Sequence, residues 1–152
     1  MTLRWILAAL HLLALGIGLG AVYSRARLLK GLRDAARLPE VFLADGYWAL
    51  AGALWLVTGL LRAFTGLEKG AAYYLHHPLF HVKLTLFVVI LLLEIRPMLV
   101  LIRWRRARRR GETPDLGAAP GLAKISHAQA GLVVIILLLA TAIARGLLYP
   151  AN

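Results

Sequence analysis

Residues 78–110 read PLFHVKLTLFVVILLLEIRPMLVLIRWRRARRR. About two dozen mostly apolar residues suffice to cross the hydrocarbon core of a bilayer, and this run stops at a wall of arginine. The pattern sets a membrane span and, by the bias of basic residues toward the cytoplasm, its inner end. Within the span lie His81, Lys83, Glu94 and Arg96, side chains that lipid rejects unless protein or water receives them.

The rest of the chain has the same character. Of its 152 residues 61% are hydrophobic, and the mean hydropathy is +0.74, more apolar than the roughly half expected of a soluble domain. The net charge of +11 does not point to nucleic acid, because most basic residues fall in two short loops beside apolar runs, where they orient spans. With no cysteine the chain has no disulfide framework, thiolate metal site or thiol nucleophile. No P-loop, nucleophile elbow, H-E-x-x-H or dinucleotide fingerprint occurs.

Four spans are predicted, at about 3–23, 41–64, 79–102 and 125–148, as one transmembrane domain. The first follows Met1 and Arg4 without a convincing A-x-A-like cleavage site, so it reads as a retained span. After it comes SRARLLKGLRDAARLPE (24–40), a basic loop read as cytoplasmic, which holds Arg25. The connection TGLEKGAAYYLHHP (65–78) is poor in positive charge and reads as external, with His76 and His77 solvated. GETPDLGAAPG (111–121) reads as a flexible turn. Short connections make successive spans antiparallel neighbours. The expectation is therefore an all-α integral membrane four-helix bundle of the bacterial inner membrane, with both termini on the outer, periplasmic side. Gly16 and Gly20 form a G-x-x-x-G pair where two backbones could approach.

Helical periodicity sorts the polar positions into stripes. Asp45, Trp48, Gly52, Trp55, Gly59 and Arg62 share a face of the second span. His127, Gly131, Val134, Leu138, Thr141 and Arg145 share one on the fourth. On the third, Lys83, Phe87, Ile90 and Glu94 align, whereas His81 points more than a right angle away, toward Thr85. By depth, Arg62, Lys83 and Arg145 form an outer cationic cluster, and Asp45, Glu94 and His127 an inner polar one, with His11 near the middle of the first span.

Structural readings stand beside these. Arg62 and Arg145 could snorkel to the interface, the tryptophans could be packing anchors, and Asp45 could cap the second helix. Glu94 could pair with Arg25, Arg96 or His127 as a buried bridge. His11, in an otherwise apolar span, needs a partner, whether hydrogen bond or ligand.

Imidazole ligates haem iron, and arginine and lysine suit the carboxylates of a planar amphiphile. The expected cofactor is haem, with His11 as one ligand of the iron and His81 or His127 as the other, Arg62, Lys83 and Arg145 near the propionates, and the ring against Trp48 or Trp55.

The whole chain, from LHLLALGIGLGAVYSRARLL (10–29) through GLEKGAAYYL (66–75) to EIRPM (94–98) and LIRWR (101–105), resembles an uncharacterised family of short bacterial integral-membrane proteins known as a domain of unknown function. More distantly, its layout is similar to the HemJ protoporphyrinogen oxidase family and the CopD copper-resistance family. The similarity rests on His11 in the first span and on the opening of the third, FHVKLTLFVVILLL (80–93). The HemJ resemblance implies haem b, with His11, His81 and Lys83 at hallmark positions. Glu94 stands where those proteins tend to carry another histidine, and SHAQ (126–129) does not reproduce the Asn-Glu pair opening their fourth span. The resemblance thus carries haem further than it carries the oxidase reaction.

The leading expectation is a haem-dependent membrane protein exchanging electrons with a quinone or porphyrin partner, its catalytic residues unknown. Two alternatives are a non-enzymatic proton, ion or small-molecule transporter, working as a homodimer, and an accessory subunit of a larger membrane complex.

Overall fold

The computed structural model describes residues 2–65 and 75–147, and these form four long helices with no strand among them. Helix α1 spans Thr2–Lys30, α2 Leu38–Phe64, α3 Pro78–Arg109 and α4 Ala119–Ala144. All four are long and apolar enough to cross a membrane. Most of the external connection expected at 65–78 lies outside the described residues, as does the end of the fourth predicted span.

All four helices overrun their predicted limits, α1, α3 and α4 by the most. Hydropathy falls at Ser24, but Arg25, Ala26, Arg27, Leu28, Leu29 and Lys30 are good helix formers, so α1 continues to Lys30 and Arg25 is helical, not in a loop. Part of the expected flexible turn is likewise α4, which starts at Ala119 with Pro120 in a first turn that needs no proline N–H. The connections are short and tied down. A 3-10 turn, Ala35–Arg37, leads into α2, with the Asp34 carboxylate accepting the Ala36 N–H at 2.8 Å. Gly111, at φ +75°, closes α3 by supplying the left-handed residue that lets the Glu112 N–H reach the Ala107 carbonyl at 3.0 Å. The Trp104 indole then donates to Asp115 O at 2.9 Å, holding the turn against α3.

Helix α1 lies between α2 and α4, and α3 packs on the other side of α4. The remaining seam, between α2 and α3, is bridged by long side chains. Leu43, Leu92 and Leu138 are each 62% exposed, as suits an outer surface that meets acyl chains instead of water.

The interior is layered along the bundle. At the arginine-rich end Leu29, Leu38, Val41, Leu101, Trp104 and Leu122 form one apolar core. A second core, with Val22, Trp48, Trp55, Ile90, Val133 and Ile136, lies farther along. Charged side chains lie between the two cores, and the far end of the bundle opens into a cavity.

The close approach of α1 and α2 uses a glycine other than the expected pair. A Cβ on Gly18 would sit 3.3 Å from Ala51 Cβ, whereas Gly16 and Gly20 face outward with nothing within 4 Å. Gly18 is on the buried stripe with Ala14, Leu15 and Val22, and the motif glycines are not.

Candidate functional site

Arg25 is the centre of the polar layer. It is 0% exposed, and all five of its N–H donors are used. Nε donates to Ser126 Oγ at 3.1 Å, and Nη1 donates to Asp45 Oδ1 at 2.7 Å and to Glu94 Oε1 at 2.8 Å. Nη2 donates to Glu94 Oε2 at 2.8 Å and to Gln129 Oε1 at 2.9 Å. One guanidinium on α1 therefore ties together α2, α3 and α4.

Neighbours complete the layer. The Trp48 indole and the Gln129 amide each donate to Glu94 Oε2 at 2.9 Å, and Arg105 Nη2 donates to Asp45 Oδ2 at 2.8 Å. The Arg105 guanidinium also lies 4.9 Å from the centre of the Phe42 ring. Two guanidiniums and two carboxylates cancel, so the layer is electrically neutral, which is what makes its removal from water tolerable.

This arrangement sorts the inner cluster expected from sequence. Asp45 and Glu94 do meet, through Arg25, in the buried-bridge form. Asp45 lies two turns inside α2 and does not cap it. His127 takes no part: its Nδ1 lies 2.9 Å from Ala123 O in its own helix, and its ring stands edge-on to Tyr23. The buried face of α4 instead carries Ser126, Gln129, Ala130, Val133 and Ile136, so the predicted fourth stripe is one residue out of phase and Leu138 faces outward. Ser126 and Gln129 are buried polar residues of the layer that the histidine obscured. The i, i+3 spacing of two small polar groups in SHAQ was the signal available for them.

Toward the far end, Trp55 and His11 are joined. Trp55 Nε1 donates to His11 Nε2 at 3.0 Å; an indole can only donate, so that ring nitrogen carries no proton. The proton is on Nδ1, which donates to Thr58 Oγ1 at 2.9 Å, and the Thr58 hydroxyl in turn donates to Leu54 O at 2.6 Å. His11 is thus a neutral imidazole held in one tautomer. Gly59 makes this possible, since a Cβ there would lie 3.2 Å from His11 Cε1.

Beyond His11 lies a cavity of about 390 Å³, lined by His11, Trp55, Arg62, Phe80, Lys83 and Thr141 among others. The Phe87 ring meets Trp55 edge-on at 5.3 Å. Two of the three expected outer cations, Arg62 and Lys83, come together on this wall, and no Asp or Glu is among its described lining residues. Arg145 follows the end of α4, is exposed and does not line the cavity.

His11 and His81 are not brought together as a ligand pair. Both nitrogens of His11 are already hydrogen-bonded, and His81 is exposed on the far side of α3 with Nε2 at 2.8 Å from Leu75 O. His76 is exposed, but His77, expected in solvent, is fully buried at the start of α3. Among the described residues no three His, Cys, Asp or Glu side chains are grouped to hold a metal ion. In this conformation the residues do not fit a bis-histidine iron.

The family profile described as predicted membrane protein (DUF2214) matches residues 3–147, nearly the whole chain. The chain belongs to this family. Its description agrees with four membrane-crossing helices and a bundle that meets lipid on its outer surface. No curated protein and no solved structure gives a significant match to this DUF2214 member.

Proposed function

We propose that the far-end cavity binds an anionic, ring-bearing amphiphile within the membrane, with Lys83 and Arg62 meeting its acidic group and Trp55, Phe80 and Phe87 its apolar body. One observation carries this reading: Lys83 is half-buried at a cavity with no Asp or Glu among its described lining residues, and Arg62 lines the same wall. In such surroundings a cation attracts an anion far more strongly than in water. The polar layer below is saturated and neutral, so it serves as a floor.

Porphyrin carboxylates are the ligand class to which the sequence resemblance leads, with quinone redox chemistry as their context. Haem b is the finer form of this proposal. Iron ligation by His11 would require its Nε2 to exchange the Trp55 N–H for the metal. Protoporphyrin IX separates the two questions, because it has the propionates and no iron. It should quench tryptophan fluorescence of the purified protein, with affinity about tenfold weaker in Lys83→Gln, the loss expected of one charge-assisted hydrogen bond. Equal affinity in the two proteins sinks the reading. A Soret band lost in His11→Ala supports haem, and colourless protein from haem-replete cells removes the metal while leaving the carboxylate site.

A structural role within a larger complex is the second reading, favoured by the complete internal pairing of Arg25, Asp45 and Glu94. A stoichiometric partner on native purification would support it. The same pairing closes the inner half of the path that a proton or ion transporter would use, and proton flux in proteoliposomes, compared with Glu94→Gln, tests that alternative. The basic loops support a cytoplasmic position for the arginine-rich end, in a bacterial inner membrane, and a periplasmic reporter fused after residue 152 should then be active.

A further inference from the structure

The cavity has two mouths of different chemistry. On one side it is bordered by Ala8 and Leu12 of α1 and by Thr141 and Ala144 of α4, with Arg62 close by. On the other it continues into a smaller recess of about 110 Å³ in the seam between α2 and α3, bordered by Leu56, Leu60, Phe64 and Leu84. The two spaces share His11, Trp55, Gly59, Ala63, Phe80 and Lys83, so they adjoin.

The seam is open for a reason visible along its length. Toward the arginine-rich end α2 and α3 are linked by Trp48 to Glu94 and by Arg105 to Asp45. Above the Trp55–Phe87 contact the side chains that border the recess include Leu56, Leu60, Phe64 and Leu84. Leu56, Leu60 and Leu84 are 40, 49 and 49% exposed, which in a bilayer means exposed to acyl chains. A charged ligand wholly enclosed in protein would need no such border. A ligand with a long apolar chain would.

Resting on the anion-site reading above, we infer that the ligand carries a long hydrocarbon tail and is drawn sideways from the lipid, its acidic head at Lys83 and Arg62 and its tail leaving between Leu60 and Leu84. The ligand class is a ring-bearing carboxylate or phosphate that also carries a long-chain or isoprenoid tail. Lys83 carries the head contact. Its side chain is half-buried at the junction of the two spaces, where a head held by one would leave its tail in the other.

The test uses the full chain in proteoliposomes and a fatty acid with a diazirine near the end of its chain. Photolabelling should concentrate on residues 56–64 and 83–87 and fall about tenfold in Lys83→Gln. Leu60→Trp, which narrows the seam and leaves both cations in place, should reduce labelling by a similar factor. Binding of 8-anilinonaphthalene-1-sulfonate, an anion with no chain, should be unchanged by Leu60→Trp and weakened by Lys83→Gln. Labelling spread evenly over the lipid faces of all four helices, or undiminished in Lys83→Gln, overturns the inference. If the sulfonate still needs Lys83 in that case, the anion site stands and only the sideways route falls; if it does not, both fall.

Discussion

Arg25 on α1 and Glu94 on α3 meet fork to fork, with Nη1 and Nη2 each 2.8 Å from a different carboxylate oxygen. The two helices lie on opposite sides of the bundle, so this pair crosses its interior. A planar guanidinium suits the geometry because it offers two parallel donors to one carboxylate and still has three for Asp45, Ser126 and Gln129. Removing it would strand the Glu94 carboxylate in the membrane interior and leave Asp45 to Arg105 alone. Arg25→Met should destabilise the protein by about 3–5 kcal/mol in reversible unfolding in mixed micelles. Arg25→Lys should recover only part of that, because three donors cannot serve five contacts.

Removing both members of the crossing pair should hurt less than removing one. In Arg25→Met with Glu94→Leu, the Asp45–Arg105 bridge at 2.8 Å keeps its partners and no unpaired charge is left. The double variant should regain about 2 kcal/mol relative to Arg25→Met alone, a coupling within the range seen for contacting residues. Simple additivity of the two losses would show that the pair does not act as a unit.

Gly18 and the G-x-x-x-G pair should separate cleanly. Gly18→Val should cost about 1–3 kcal/mol by overpacking against Ala51 and Trp48, while Gly16→Ala and Gly20→Ala should leave monomer stability within about 0.5 kcal/mol. Thermal unfolding of the three variants under one detergent condition is the check. A large loss in Gly20→Ala would place a close helix contact where the fold has none.

The imidazole of His11 should show a protonated Nδ1 and a bare Nε2 in nitrogen NMR of the isotope-labelled protein. Thr58→Val removes the acceptor for Nδ1–H and should cost about 1 kcal/mol. Trp55→Phe should free Nε2, and haem added to that variant should bind iron through His11 more readily than in the parent. The opposite tautomer would contradict the hydrogen-bond chain from Trp55 through His11 to Leu54.

The sequence made the bundle legible because four long apolar runs with basic connections have few other folds open to them. It also set the faces of α2 and α3, where Asp45, Trp48 and Trp55, or Lys83, Phe87 and Glu94, mark the inward side among lipid-compatible neighbours. Two features escaped it for physical reasons. Hydropathy measures where a chain stops being apolar, not where it stops being helical, so the sequence puts Arg25 in a loop although it lies inside α1. On α4 nearly every position is apolar, leaving the phase to a few polar residues, and His127 drew it one residue from Ser126 and Gln129. Distances across the bundle were not legible at all. Lys83 and Arg62 share a wall, whereas His11 and His81 do not, because neighbouring residues on one helix point in different directions.

The measurement closest to the central claim compares protoporphyrin IX with its dimethyl ester, which keeps the ring and loses both charges. Titrated into the nanodisc-held protein and followed by tryptophan quenching, the dicarboxylate should bind about tenfold or more tightly than the ester, and the preference should vanish when Lys83→Gln and Arg62→Gln are combined. Equal binding of acid and ester to the unaltered protein would contradict an anion site in the far-end cavity.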